Sequence, residues 1–103
     1  MAIVNNSVTN SSAANIYASS GETCVVTLYI ANYTASAVSA NVYLIPSGGT
    51  AGDSNIIIPN LQIAGYDTYI MNTERLVLGN GDMIQANANT GSALTATVSY
   101  TGV

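Results

Sequence analysis

The sequence contains no histidine, lysine, tryptophan or phenylalanine, and Arg75 is its only basic residue. Without histidine, neither a Ser-His-Asp triad nor a Cys-His pair can form, and the usual His-containing zinc sites are excluded. One arginine cannot neutralise a nucleic-acid backbone or anchor a chain to an anionic membrane. We therefore expect a protein that is not an enzyme, holds no metal or cofactor, and binds neither nucleic acid nor membrane.

Cysteine is equally scarce, because Cys24 is alone and no disulfide can form within the chain. Its apolar neighbours Val25 and Val26 favour a buried thiol, with an intermolecular disulfide or a reactive thiol as the alternatives. The sequence has no apolar run long enough to span a membrane and no basic segment at its start. We expect neither a membrane span nor a secretory signal.

Charged residues are rare: they make up 6% of the 103 residues, against about 25% in a typical domain. The net charge is −4. The surface must instead be built from serine, threonine and asparagine, which total 34 residues. The sequence has no lysine, which commonly prevents exposed sheet edges from pairing with other chains. Charge is depleted where surfaces are buried between partners, so we expect much of this surface to be covered in an assembly.

Residues that favour β-strands are abundant in the sequence. Threonine, valine and isoleucine together account for 30 residues, and there are also seven tyrosines. Short alternating runs separated by turn residues predict an all-β fold, a single-domain antiparallel β-sandwich of jelly-roll type with about eight short strands. Residues 14–103 form this domain. Residues 1–13 form either an N-terminal arm or a first strand.

The clearest strands are Cys24–Asn32, with Val26, Leu28 and Ile30 on one face, and Ala37–Ile45. In the second strand the same alternation aligns Val38, Ala40, Val42 and Leu44. The two are close enough in sequence to predict a hairpin. Met83–Asn89 and Ala93–Thr101 are predicted to form the last pair.

Two turns share a pattern of glycine followed by aspartate, and Gly65, Asp67, Gly81 and Asp82 are the candidate turn residues. Glycine permits a positive φ, and an aspartate side chain can bind backbone N–H groups. The alternative is a calcium site, but the acidic residues are widely dispersed and lack EF-hand spacing.

Three further features are candidates for contact with partners. The loop Pro46–Asp53, with Pro46, Gly48, Gly49 and Asp53, is a candidate docking segment, as is the N-terminal arm. Arg75 adjoins Glu74 and forms either a solvated surface pair or an ion pair with another subunit. The seven tyrosines could stack on sugars, but they are more typical of core rims and interfaces. A glycan is therefore the less favoured partner.

Three stretches also resemble a known group of proteins: Thr27–Asn32, Val42–Gly49 and, most specifically, Asn72–Ile84, which reads Asn-Thr-Glu-Arg-Leu-Val-Leu-Gly-Asn-Gly-Asp-Met-Ile. They are similar to small virion proteins of tailed bacteriophages, including phages of cyanobacteria. The resemblance covers residues 14–101 and implies a structural component of the phage particle, made in the host cytoplasm. It brings no catalytic residues.

The resemblance leaves the position in the particle open. The leading hypothesis is a capsid decoration, or cement, protein that binds the major capsid protein and its own copies on the outside of the shell. The alternative is a tail-fibre or baseplate subunit that contacts host glycans. A free carbohydrate-binding module is a third hypothesis.

The uncharged surface predicts that the isolated protein is an oligomer. We expect a trimer, which suits the local threefold positions of an icosahedral shell. Light scattering at micromolar protein concentration measures the mass directly, and a monomer would contradict the prediction.

Overall fold

The computed structural model describes residues 2–10, 12–72 and 75–102, which form strands and turns without a helix. The all-β prediction is confirmed. The strands are β1 (Ala2–Asn10), β2 (Ala14–Ala18), β3 (Thr23–Asn32), β4 (Val38–Ile45), β5 (Ile56–Ile63), β6 (Thr68–Met71), β7 (Leu76–Leu78), β8 (Met83–Ala88) and β9 (Leu94–Gly102).

The strands pair in two groups that share one hydrophobic core. In the β9 group, β9 lies between β1 and β3, and the far side of β3 pairs with β6 and β7 along different segments. In the β8 group, β4 lies between β5 and β8, and the far side of β8 pairs with β2. The core is built from buried aliphatic side chains of both groups, including Leu28, Ile84, Leu94 and Val98.

Strand β1 joins the two groups into one sheet that is nearly barrel-shaped. It runs antiparallel to β9 from Ala2 to Val8, and its end pairs in parallel with β8 at Thr9 and Asn10. The sheet is therefore mixed, and the expectation of purely antiparallel pairing is wrong at this pair. Residues 2–10 are a strand with Val8 buried, so they are not a free arm for docking.

The two predicted hairpins are also wrong. Strand β3 pairs with β9, β6 and β7, whereas β4 pairs with β5 and β8. Strands β8 and β9 likewise belong to different groups. The short polar connections that follow β3 and β8 therefore lead from one group to the other, across the end of the shared core.

One predicted inward position shifts by one residue. In β3, the register with β9 shifts between Val25 and Thr27. Val25 is therefore buried in place of Val26, while Leu28 and Ile30 point inward as predicted. The extra residue in β3 reverses the alternation beyond it. In β4 the register with β8 is regular, and Leu44 packs against the core as predicted, while Ile45 is buried as well.

Buried Asn32 organises the chain where it leaves β3. Its Nδ2 group donates to the carbonyl oxygens of Ser36 at 2.8 Å, Ile63 at 3.1 Å and Ala64 at 3.2 Å. Its Oδ1 atom accepts from the backbone N–H of Thr34 at 3.0 Å and from the Thr34 hydroxyl at 2.7 Å. One amide thus holds the β3–β4 connection against the end of β5.

Substituting Asn32→Asp should destabilise the fold by about 2–3 kcal/mol, because a carboxylate cannot donate to three carbonyl oxygens. The control is Asn89→Asp, since among the described residues the Asn89 side-chain amide serves only as an acceptor, from Ser39 and Thr90. The control adds the same charge and should change stability by about 0.5 kcal/mol or less. Urea unfolding at fixed protein concentration measures both, and equal losses would contradict this role for Asn32.

Candidate functional site: two outer faces

The turn at Gly81 and Asp82 is tied to the loop Pro46–Asp53. Gly81 has φ +87°, and a Cβ added there would lie 2.5 Å from the Ser47 hydroxyl oxygen. The Asp82 carboxylate accepts from the backbone N–H of Gly79 at 2.8 Å and of Ser47 at 2.9 Å. Asp82 therefore holds the turn closed and fixes the start of the loop.

The turn at Gly65 and Asp67 is built differently, despite its similar sequence. The positive φ expected at Gly65 lies instead at Tyr66, which has φ +59°. Gly65 is required for a close approach, because an added Cβ would overlap the Ala35 carbonyl. Within the described part of the chain, the exposed Asp67 carboxylate accepts only from the adjacent Thr68 N–H, at 2.8 Å.

Hydrogen bonds order the predicted docking loop. The Gly49 N–H donates to the Pro46 carbonyl at 2.9 Å, and Gly48 has φ +81°. Asn55 closes the far end, accepting from Gly52 N–H at 3.0 Å and donating to the Thr50 carbonyl at 2.8 Å. Asp53 is exposed. The loop therefore has a defined shape, and its docking role stays a prediction.

Arg75 and Cys24 lie at the surface of the β9 group. Arg75 is exposed and has no ion pair with the described residues, while its neighbour Glu74 lies outside them. Its ion pair with another subunit stays a prediction. Cys24 is half-buried rather than buried, and it sits between Val77 and Thr101 on the outer side of the sheet.

We call the outer surface of the β9 group the β9 face. One cross-strand row on it runs through Asn5, Thr97, Tyr29 and Ile70. Ile3 is 69% exposed and Val77 is 71% exposed. The face has no charged member among its residues, which are Ile3, Asn5, Ser7, Cys24, Thr27, Tyr29, Ala31, Thr68, Ile70, Val77, Thr95, Thr97, Ser99 and Thr101.

The outer surface of the β8 group carries a groove of about 440 Å³. We call it the amide groove, and its lining residues are Ser12, Ala13, Tyr43, Gly49, Thr50, Ala51, Gln85 and Asn87. The β1–β2 connection and the loop Pro46–Asp53 both contribute to this lining. The alternation that turns Val42 and Leu44 inward implies an outward Tyr43, but it does not predict the groove. The alternating Gln85 and Asn87 carry a signal for a polar outer face.

A smaller groove of about 260 Å³ lies beside the Asp82 turn, between residues 44–46 of the β8 group and Val77 and Leu78 of the β9 group. Its lining is mostly aliphatic. Asp82 is the charged residue of this lining, and its carboxylate already accepts hydrogen bonds from the N–H groups of Gly79 and Ser47.

The seven tyrosines do not form one platform. Tyr17 stacks on Tyr100 with ring centroids 4.5 Å apart, and Tyr69 packs on the core. Tyr29 belongs to the β9 face and Tyr43 to the amide groove, whereas Tyr33 and Tyr66 are exposed in connections. A sugar-stacking role is therefore open to Tyr43 in particular.

Metal ligands are not clustered: the described residues contain no group of three histidine, cysteine or acidic side chains that could hold an ion. Across residues 2–10, 12–72 and 75–102, no helix has the length and apolar character needed to cross a membrane. Comparison with family models, curated proteins and solved structures finds no match for the chain.

The two turns should respond differently to loss of their carboxylates. Asp82→Ala should destabilise by about 2 kcal/mol because two backbone N–H groups lose a charged acceptor, whereas Asp67→Ala should cost about 0.5 kcal/mol or less. Gly81→Val should cost about 1–3 kcal/mol, since it forces a branched side chain into a positive φ. Thermal unfolding measures all three.

Added calcium should leave the melting temperature of the wild-type protein unchanged. A calcium-dependent rise that disappears in Asp82→Ala would show that the turn is a metal site.

Proposed function

We propose that the protein is a structural component of a phage virion, a decoration or cement protein that binds the outside of the capsid and stabilises the shell. The observation that carries this proposal is the β9 face, a broad neutral surface with exposed Ile3, Tyr29, Ile70 and Val77. Exposed apolar groups on an otherwise hydroxyl-rich face favour protein contact. The resemblance of the sequence to small phage virion proteins supports the same assignment.

The distribution of charge supports docking through the β9 face. The described acidic residues Glu22, Asp53, Asp67 and Asp82 all lie in turns or loops outside the strands. A partner that covers the β9 face therefore buries none of these four carboxylates within the face, and avoids the cost of desolvating them. Binding of this kind should vary little with salt, because there is little Coulomb energy to screen.

The energy required of each copy is small. Burying each of the four partly exposed apolar side chains contributes about 1 kcal/mol, less than the full burial of such a group. Many copies on one shell add these contributions. We propose the major capsid protein and neighbouring copies of this chain, in a trimer, as the partners. Exposed Arg75 is then available for an ion pair between subunits.

We also propose that the fold is a jelly-roll-like β-sandwich, in which β6 and β7 are two halves of one edge strand. When β6 and β7 are counted as one strand, one layer contains, in spatial order, β1, β9, β3 and the β6–β7 edge. The other layer contains β2, β8, β4 and β5. The observed pairings support this order. Jelly rolls of eight strands are common in capsid proteins.

Particles that lack the protein should assemble but break at a lower temperature or under milder osmotic shock. Purified wild-type protein should restore them equally at low and high salt. Ile70→Glu, which places a charge on the β9 face, should fail to restore them. Ile57→Glu is the matched control, since Ile57 is an exposed isoleucine on the opposite group, and it should restore them fully.

Thiol labelling provides a second readout on the same particles. Cys24 lies within the β9 face, so bound protein should react more slowly with a thiol reagent than free protein. If depleted particles keep their stability but fail to adsorb to cells, the decoration role is wrong and the tail-fibre or baseplate alternative replaces it. If Ile70→Glu restores the particles, docking does not use the β9 face.

A further inference from the structure

We propose that the amide groove binds a neutral saccharide. The groove lies on the β8 group, on the opposite side of the core from the β9 face, so this inference is independent of docking through the β9 face. It assigns a ligand class to a surface outside that face.

The floor of the groove combines one aromatic ring with two amides. Tyr43 lies directly opposite Gln85 in the β4–β8 register, and Asn41 lies opposite Asn87. Gln85 and Asn87 are two residues apart in β8, so their side chains project from the same face. Tyr43 is half-buried and offers a flat apolar surface beside the amides. A sugar ring can place its C–H face on this tyrosine ring and direct the hydroxyls at its edge to the amides.

Neighbouring side chains hold these amides in place. Gln85 donates through Nε2 to Asn15 Oδ1 at 2.7 Å, and Asn41 donates through Nδ2 to Asn87 Oδ1 at 3.0 Å. The Asn41 Oδ1 atom is itself fixed by the Asn60 N–H at 2.8 Å. An amide has two donors and two acceptor positions. In the described residues Gln85 Oε1 accepts no hydrogen bond, and it remains available to a ligand hydroxyl.

The chemistry of the walls selects a neutral, polar ligand. None of the described lining residues is charged, so an ion would lose its hydration without gaining a counter-charge. An apolar ligand would leave Gln85 Oε1 without a hydrogen-bond donor. A sugar hydroxyl both donates and accepts, which matches Gln85 Oε1 and the Thr50 hydroxyl of the lining. The volume of about 440 Å³ lies in the range of small-molecule sites, about 300–1,000 Å³.

The test is a nuclear magnetic resonance titration of the ¹⁵N-labelled protein. The probes are the methyl glycosides of glucose, galactose, mannose and N-acetylglucosamine, together with maltose and lactose; glucuronic acid is the charged comparison. At least one neutral probe should shift the side-chain amide signals of Gln85 and Asn87, with millimolar affinity that does not depend on salt. Glucuronic acid should bind more weakly than the neutral sugars.

Two pairs of variants locate the binding. Gln85→Leu should weaken it about tenfold, equivalent to ~1.4 kcal/mol, whereas Gln62→Leu, on the exposed edge strand outside the groove, should leave it unchanged. Tyr43→Ser should weaken it similarly, with exposed Tyr33→Ser as its control. Spectra of the unbound variants establish that each is folded.

The proposal fails if no probe produces shifts, if the shifts map outside the groove, or if Gln85→Leu binds as the wild type does. None of these outcomes bears on docking through the β9 face.

Discussion

The structure depends on the double pairing of β1. Its first seven residues extend the β9 group, and its last two enter the β8 group beside β8. Because one continuous strand is hydrogen-bonded in both groups, they must close over a common core at this side. Val8, buried near the crossing point, packs into that core. The position of each outer face therefore follows from where β1 changes partner.

Closure around an aliphatic core leaves the polar residues to define the outer faces. Outward positions of β9 alternate as threonine and serine, while those of β4 and β8 carry asparagine, glutamine and tyrosine. The first set makes a broad surface with scattered apolar groups, and the second makes a groove bounded by two connections. Both lack charge among the residues described, and this shared property favours partners that are themselves neutral where they touch.

Composition and alternation were sufficient to predict an all-β fold and most inward positions, such as Leu28, Ile30 and Val42, while about eight strands were expected and nine are observed. The pairing partners of the strands could not be predicted. Proximity in sequence favours hairpins, whereas the connection held by Asn32 leads from β3 to a strand of the other group. The shift at Val26 depends on the register of β3 with β9. The amide groove escaped prediction for the same reason, since Tyr43 and Gln85 meet only through the β4–β8 pairing.

The open edges of the sheet have a consequence for how copies of this chain can meet. Edge strand β5 contains Pro59, which has no N–H to donate, followed by Asn60 at φ +50°. At the other edge, β6 ends at Met71 and β7 begins only at Leu76. Neither of these two edges offers a long, regular backbone ladder. In a chain without lysine, backbone geometry at β5 and at β6 and β7 thus opposes strand-by-strand growth from these edges, and favours face-to-face contact there.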